Sequence, residues 1–170
     1  IAKQQLRKAG WYEGRKIDLS KYEEAYAEVG CKLFPAARKF LEEYGDLDIQ
    51  DKYISTATYE NGDHFIVINR SLIDVAYCCY PRDLELEKMV DELFHQKILR
   101  VGAIDHGNID IYISEDGRFF VNWYFDGLWA ENSDQLWNEY YGEEYGRASW
   151  EDLKAGKGRT MFKKKVKKYL

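Results

Sequence analysis

The chain has 170 residues, of which 45% are hydrophobic and 16% aromatic, with only 2 Pro and 13 Gly, so disordered, collagen-like and linker-dominated chains are excluded and one domain with a real core is expected. Net charge is −5, yet the segment after Asp152 holds eight Lys and Arg and no acid, so the body before it carries −13. A body this acidic disfavours nucleic acid and anionic membranes and favours a basic protein partner, and no stretch reaches the roughly 20 apolar residues of a membrane span.

Ala2 to Gly10 favours a short helix. Leu19 to Val29 places Tyr22, Ala25, Tyr26 and Val29 at helical spacing, with Asp18 or Ser20 as caps. Phe34 to Tyr44 reads as the clearest helix, with Pro35 in its first turn and Gly45 closing it. The period then falls to two. Tyr53 to Tyr59 and Phe65 to Ile68 read as strands joined by a two-residue turn at Asn61-Gly62, and residues 75–80 as a short strand. Leu84 to Phe94 returns to helical spacing behind Asp83. Ile98 to Ile104, Ile109 to Ile113 and Arg118 to Phe125 read as three strands, and Ser133 opens a helix with Leu136, Trp137, Tyr140 and Tyr141 inward. Thr160 to Leu170 reads as a final helix, because Phe162, Val166 and Tyr169 fall at spacings of four and three. The fold class expected is α+β: a central antiparallel sheet of about five or six strands with N-terminal helices, a mid-chain helix and C-terminal helices packed around it.

Catalytic constellations are weak. Asp63-His64 and Asp105-His106 pair a carboxylate with an imidazole, but both sit where turns are expected and turn chemistry explains them better; His95 falls on the polar side of a helix. Cys31, Cys78 and Cys79 lack zinc-ligand spacing, and an odd set with two adjacent members suits buried thiols in a reducing, cytoplasmic setting. No Walker loop, dinucleotide fingerprint or nucleophile elbow occurs, so no cofactor or metal is expected. The lysine-rich end suits either an anionic ligand or a helix lying against the acidic body, and the second reading is preferred.

The hairpin at Ser114 to Arg118 permits a finer reading. A three-residue loop with Gly117 left-handed brings Ile109, Ile111 and Ile113 into register with Trp123, Val121 and Phe119 on a core face. The opposite face then carries Asp110, Tyr112, Phe120, Asn122 and Tyr124, which is either roofed by a helix or offered to a partner. The candidate partner-binding set is Asp105, Asp110, Tyr112, Asp116, Tyr124 and Asp126, chosen over the acids of the late helix region, Glu131, Asp134, Glu139, Glu143 and Glu144, because it combines tyrosines with carboxylates.

Ala9-Gly10-Trp11, Gly14-Arg15, Phe40-Leu41, Tyr44-Gly45 and Leu47, followed in order by Val101-Gly102, the Ile-rich strand, Asp116-Gly117-Arg118 and the helix from Ser133, resemble the SUKH-3 immunity proteins of the SMI1/KNR4-like superfamily. The resemblance spans about residues 5–145, which suggests a SUKH-like domain over 1–150 and a lysine-rich helical extension over 151–170. It implies an antitoxin without catalytic residues that binds and inactivates a cognate toxin, often a nuclease or nucleic-acid deaminase. The alternative is a regulatory scaffold without a toxin. The expected partner is a toxin with a basic active-site surface, bound by a monomer. Gly10, Trp11, Gly14, Arg15 and Gly45 are expected to be structural parts of the signature.

Overall fold

A computed structural model describes residues 1–78, 82–123 and 126–170, with the backbone alone of Asn122, Asp126 and Lys167. Three helices open the chain: α1 (Ala2–Lys8), α2 (Ser20–Glu28) and α3 (Pro35–Tyr44). The Asp18 carboxylate accepts the Ser20 N–H just ahead of α2, and Phe34, extended, precedes Pro35 at the start of α3. A long hairpin follows, β1 (Leu47–Thr58) and β2 (His64–Ile73). β1 starts well before Tyr53, since Leu47 and Ile49 alternate inward against outward Asp48 and Gln50. Its turn spans Glu60, Asn61 and Gly62 rather than two residues: the Tyr59 N–H reaches the Asp63 carbonyl at 2.8 Å, and Gly62 takes φ 86°.

Residues 75–78, expected in a strand, form the short helix α4 (Val75–Cys78), whose start is fixed by the Asp74 carbonyl and side chain accepting backbone N–H groups; the rest of that expected strand, 79 and 80, lies outside the described residues. Then come α5 (Leu84–Phe94), capped by the Asp83 side chain on the Leu86 N–H, β3 (Ile98–Ile104), a tight turn at 105–107, β4 (Ile109–Ser114), β5 (Phe119–Trp123) and β6 (Asp126–Ala130). The chain finishes with α6 (Ser133–Tyr141), capped by Asn132, then β7 (Glu144–Ser149), α7 (Trp150–Lys154), β8 (Thr160–Lys163) and β9 (Val166–Tyr169).

Among the described residues nine strands form one antiparallel sheet in the order β8-β7-β6-β5-β4-β3-β2-β1-β9, more strands than expected from sequence. The expected C-terminal helix is wrong: residues 160–169 are two strands on opposite edges of the sheet. Short apolar spacings of four and three fit a helix or two brief strands equally, and the open edges of β7 and β1 decide between them. Only Lys164 and Lys165 separate β8 from β9, a reach of about 11 Å, so the sheet curls until its edges meet. At the seam the Lys164 N–H bonds the Glu143 carbonyl while the Thr56 N–H bonds the Lys165 carbonyl.

One face of the sheet packs against α1, α2, α3 and α6 around Ile49, Ile73, Val101, Ile111, Phe119 and Trp137. α6 bridges the two ends of the sheet there, for the Tyr141 hydroxyl donates to the Ile49 carbonyl at 2.8 Å and shares a hydrogen bond with Ser71 Oγ at 2.7 Å. A second cluster on the other face joins α5 and α7 to Ile98, Tyr112, Phe120, Leu128 and Trp150.

The seam is charged and buried. Arg159, just before β8, pairs with Glu139 of α6 and donates to Gln135 Oε1, and the Gly146 N–H bridges both Glu139 carboxylate oxygens at 2.7 and 2.6 Å. The Lys164 ammonium donates to the Tyr140 carbonyl at 2.6 Å, at the negative end of α6. Burial pushes the Glu139 carboxyl up to about 7 and the Lys164 ammonium down to about 8, with Arg159 and the nearby Asp51 opposing the respective shifts. Because the folded Glu139 binds its proton more tightly than the unfolded side chain does, its contribution to stability is full below the unfolded value and is lost as pH rises through about 7. Arg159→Met should therefore cost about 3 kcal/mol near about pH 8, where a buried carboxylate is left uncompensated, and clearly less near about pH 5, as read by urea unfolding at both pH values.

Candidate functional site

The five signature residues come together at the C-terminal end of α3. Gly10 and Gly14 take φ 100° and 78° in the loop after α1. That loop swings Trp11, 8% exposed, into reach of Glu43, whose Oε1 accepts the indole N–H at 3.1 Å. Arg15 donates Nη1 to the Glu43 carbonyl at 2.6 Å and Nη2 to the Gly45 carbonyl at 2.8 Å, so a guanidinium fork closes the negative end of the helix. Gly45 is needed for space: a Cβ there would stand 2.5 Å from the Leu41 carbonyl oxygen. The cluster is a clamp that fixes α3 to the loop before α2.

The predicted partner-binding residues do not form one site. Ser114 to Arg118 folds as expected, with Gly117 at φ 86° and Ile111 and Ile113 opposite Val121 and Phe119. The aromatic face behind it is roofed: Tyr112 is 5% exposed and packs in the cluster beneath α5, so it is corrected from a contact residue to a core residue. Arg100 donates to Asp110 and to the Tyr112 hydroxyl, the latter at 3.2 Å; burial raises the Asp110 carboxyl and Arg100 opposes the rise. Asp105 is exposed in the turn between β3 and β4, at the opposite end of β4 from Asp116, about 20 Å along the strand. Asp116 is exposed at the hairpin tip, gripped by Arg118 Nε at 2.9 Å and Nη2 at 2.6 Å; these bonds and that from Ser114 outweigh partial burial and hold its carboxyl below the usual range. Tyr124 lies outside the described residues, and of Asp126 only the backbone is placed, paired with Trp123 and Ser149.

Two adjoining depressions surround that tip. A cleft of about 310 Å³ lies between α3, the hairpin and the start of α6, lined by Phe40, Lys39 and the acids Glu43, Glu115, Asp116 and Glu131, of which Asp116 is paired with Arg118. A larger groove of about 790 Å³ runs between the Gly30–Phe34 loop and α5, floored by Leu33, Phe34, Ile98 and Leu99 and edged by Leu84, which is 64% exposed. Glu115 belongs to both, and the Lys97 N–H donating to its Oε2 at 3.0 Å fixes it between them. The groove went unread in the sequence, although Leu84, apolar yet off the Leu86-Val90 stripe, was a signal for it.

Residues 2–141 match the model of the SUKH-3 immunity proteins. The chain belongs to that family. No curated protein and no solved structure is significantly similar to it. Membership of an immunity family implies a cognate toxin protein as partner. The match ends with α6, so in this SUKH-3 chain β7, α7, β8 and β9 lie beyond the matched residues although β9 completes the sheet against β1. Among the described residues no group of three or more His, Cys, Asp or Glu is placed to hold a metal ion, and no helix is long and apolar enough to cross a membrane. Asp63-His64 stands where the hairpin turn gives way to β2, and Asp105-His106 in the turn after β3.

The clamp of this SUKH-3 protein carries a clear expectation. Arg15→Ala should lower unfolding stability by about 2 kcal/mol, and Arg15→Lys should recover less than half of that loss in urea melts, because one ammonium cannot span two carbonyls as the fork does.

Proposed function

We propose that this chain neutralises its cognate toxin by direct stoichiometric binding, its acidic surface occupying the basic site of a nuclease or nucleic-acid deaminase. The observation that carries the reading is the acidic cleft around Glu115 and Glu131 opening onto a groove with an apolar floor and a rim of mixed charge: carboxylates beside exposed Leu84 and half-buried Phe34 combine steering charge with area to desolvate. The −13 body supports it, since a toxin that handles nucleic acid must present a cationic surface. Asp116 belongs to this surface, whereas Asp105 and Asp110 are not among its lining residues. Tyr112 is dropped because it is core. Occupation of the toxin's site needs no catalysis by the immunity protein, and a non-catalytic inhibitor present in the cytoplasm with its toxin fits this role.

The test uses the toxin encoded beside this gene. Co-purification as a one-to-one complex and protection of cells are expected, and failure of both would end the reading. Reversal of charge at Glu115 and Glu131 together should slow association by about tenfold at low salt and flatten its salt dependence, while reversal at exposed Glu143 and Glu144 should change it by less than about twofold.

A further inference from the structure

The β1–β2 hairpin reaches beyond its neighbours on both sides. β9 accompanies β1 only as far as Ser55, and β3 meets β2 at the single pair Leu72 and Ala103. Among the described residues no strand pairs with His64–Val67 on the side away from β1.

The phase of the backbone there follows from two hydrogen bonds. The Lys52 carbonyl accepts the Leu170 N–H, so Lys52 directs its polar groups toward β9. Its antiparallel partner Ile68 must direct its own away from β1, and the Ile68 carbonyl is met there by His106 Nε2 at 3.1 Å. By alternation Ile66 and His64 share that orientation, which leaves the Ile66 N–H and C=O facing outward. The Ile66 and Ile68 side chains are 58% and 48% exposed on one face. Between His64 and Asn69 there is no Lys, acid or Pro, the residues that usually guard an edge, whereas β8 and β9 carry Lys163 and Lys168.

We propose that this edge pairs with the same edge of a second copy of the chain, antiparallel about a twofold axis through Ile66. The strand is self-complementary in that register. Ile66 exchanges both backbone hydrogen bonds with its counterpart and Phe65 faces Val67, with no like charges opposed. The tip acids Glu60 and Asp63 of one copy then approach the far end of the other copy's strand, where Lys52 and His106 stand, Arg70 there being held by Asp48. His106 occupies the Ile68 carbonyl and ends the free edge there, so the pairing covers only Phe65, Ile66 and Val67 and is reversible.

Sedimentation equilibrium of the full chain over about 1 μM to 1 mM should show a concentration-dependent dimer. Ile66→Lys and Ile66→Glu change an exposed position and should each be monomeric while keeping the wild-type circular dichroism spectrum, because like charges then face across the axis. Mixing the two variants in equal amounts should restore the dimer. Wild-type protein that stays monomeric throughout the range overturns the proposal, as do single variants that still dimerise like the wild type or a mixture that does not. A monomeric wild type whose Ile66→Lys variant loses toxin binding would assign the edge to the toxin instead.

Discussion

The sheet closes on itself because two residues, Lys164 and Lys165, must carry the chain from one edge to the other, and most of the architecture follows from that short connection. The strands curl so that β7 and β1 come within its reach, and α6 is caught between the ends of the sheet. The basic segment also covers the edges of β7 and β1 with β8 and β9, which carry lysines at the edges they present in turn. The charged residues at the seam are part of the same device. Arg159 and Lys164 are drawn from the basic segment to half-buried positions where Glu139 and a helix end await them, so the lysine-rich stretch is a structural strap as much as a charged surface.

The second constraint is the clamp at the end of α3. Trp11 and Arg15 hold Glu43 and Gly45, and α3 in turn forms one wall of the acidic cleft. The clamp residues Trp11, Arg15 and Gly45 thus shape the proposed binding surface from behind without lining it, while Glu43, which they hold, belongs to both. A fixed wall favours an inhibitor, because little conformational entropy remains to be lost when a partner docks.

Much of the fold was legible in the sequence where local chemistry and tertiary demand agree. Asp83 before Leu84, Gly117 in a three-residue loop and Pro35 at the start of α3 each specify a backbone state that nothing else in the structure contests. Legibility failed where distant partners decide. Phe162, Val166 and Tyr169 satisfy a helical stripe by spacing alone, and only the edges of β7 and β1, far away in sequence, make them strands. The candidate site divided in the same way. Asp116 was legible as an exposed turn residue, but whether Tyr112 faced a partner or a roof depended on α5, whose docking on the sheet no local pattern of β4 encodes. The groove beside it is formed by two loops and a helix remote in sequence, so only the stray Leu84 hinted at it.

The pairing of β1 with β9 joins residues more than a hundred positions apart, Tyr53 with Tyr169 among them. Chain entropy makes such a contact late and slow, since the whole intervening polypeptide must already be ordered for the two strands to meet cheaply. During synthesis α1, α2, α3 and the β1–β2 hairpin are available early, yet β1 keeps one edge bare until residues 166–169 have been made. In that interval the nascent protein has its helical clamp and an open strand, and only translation of the strap turns it into the closed sheet.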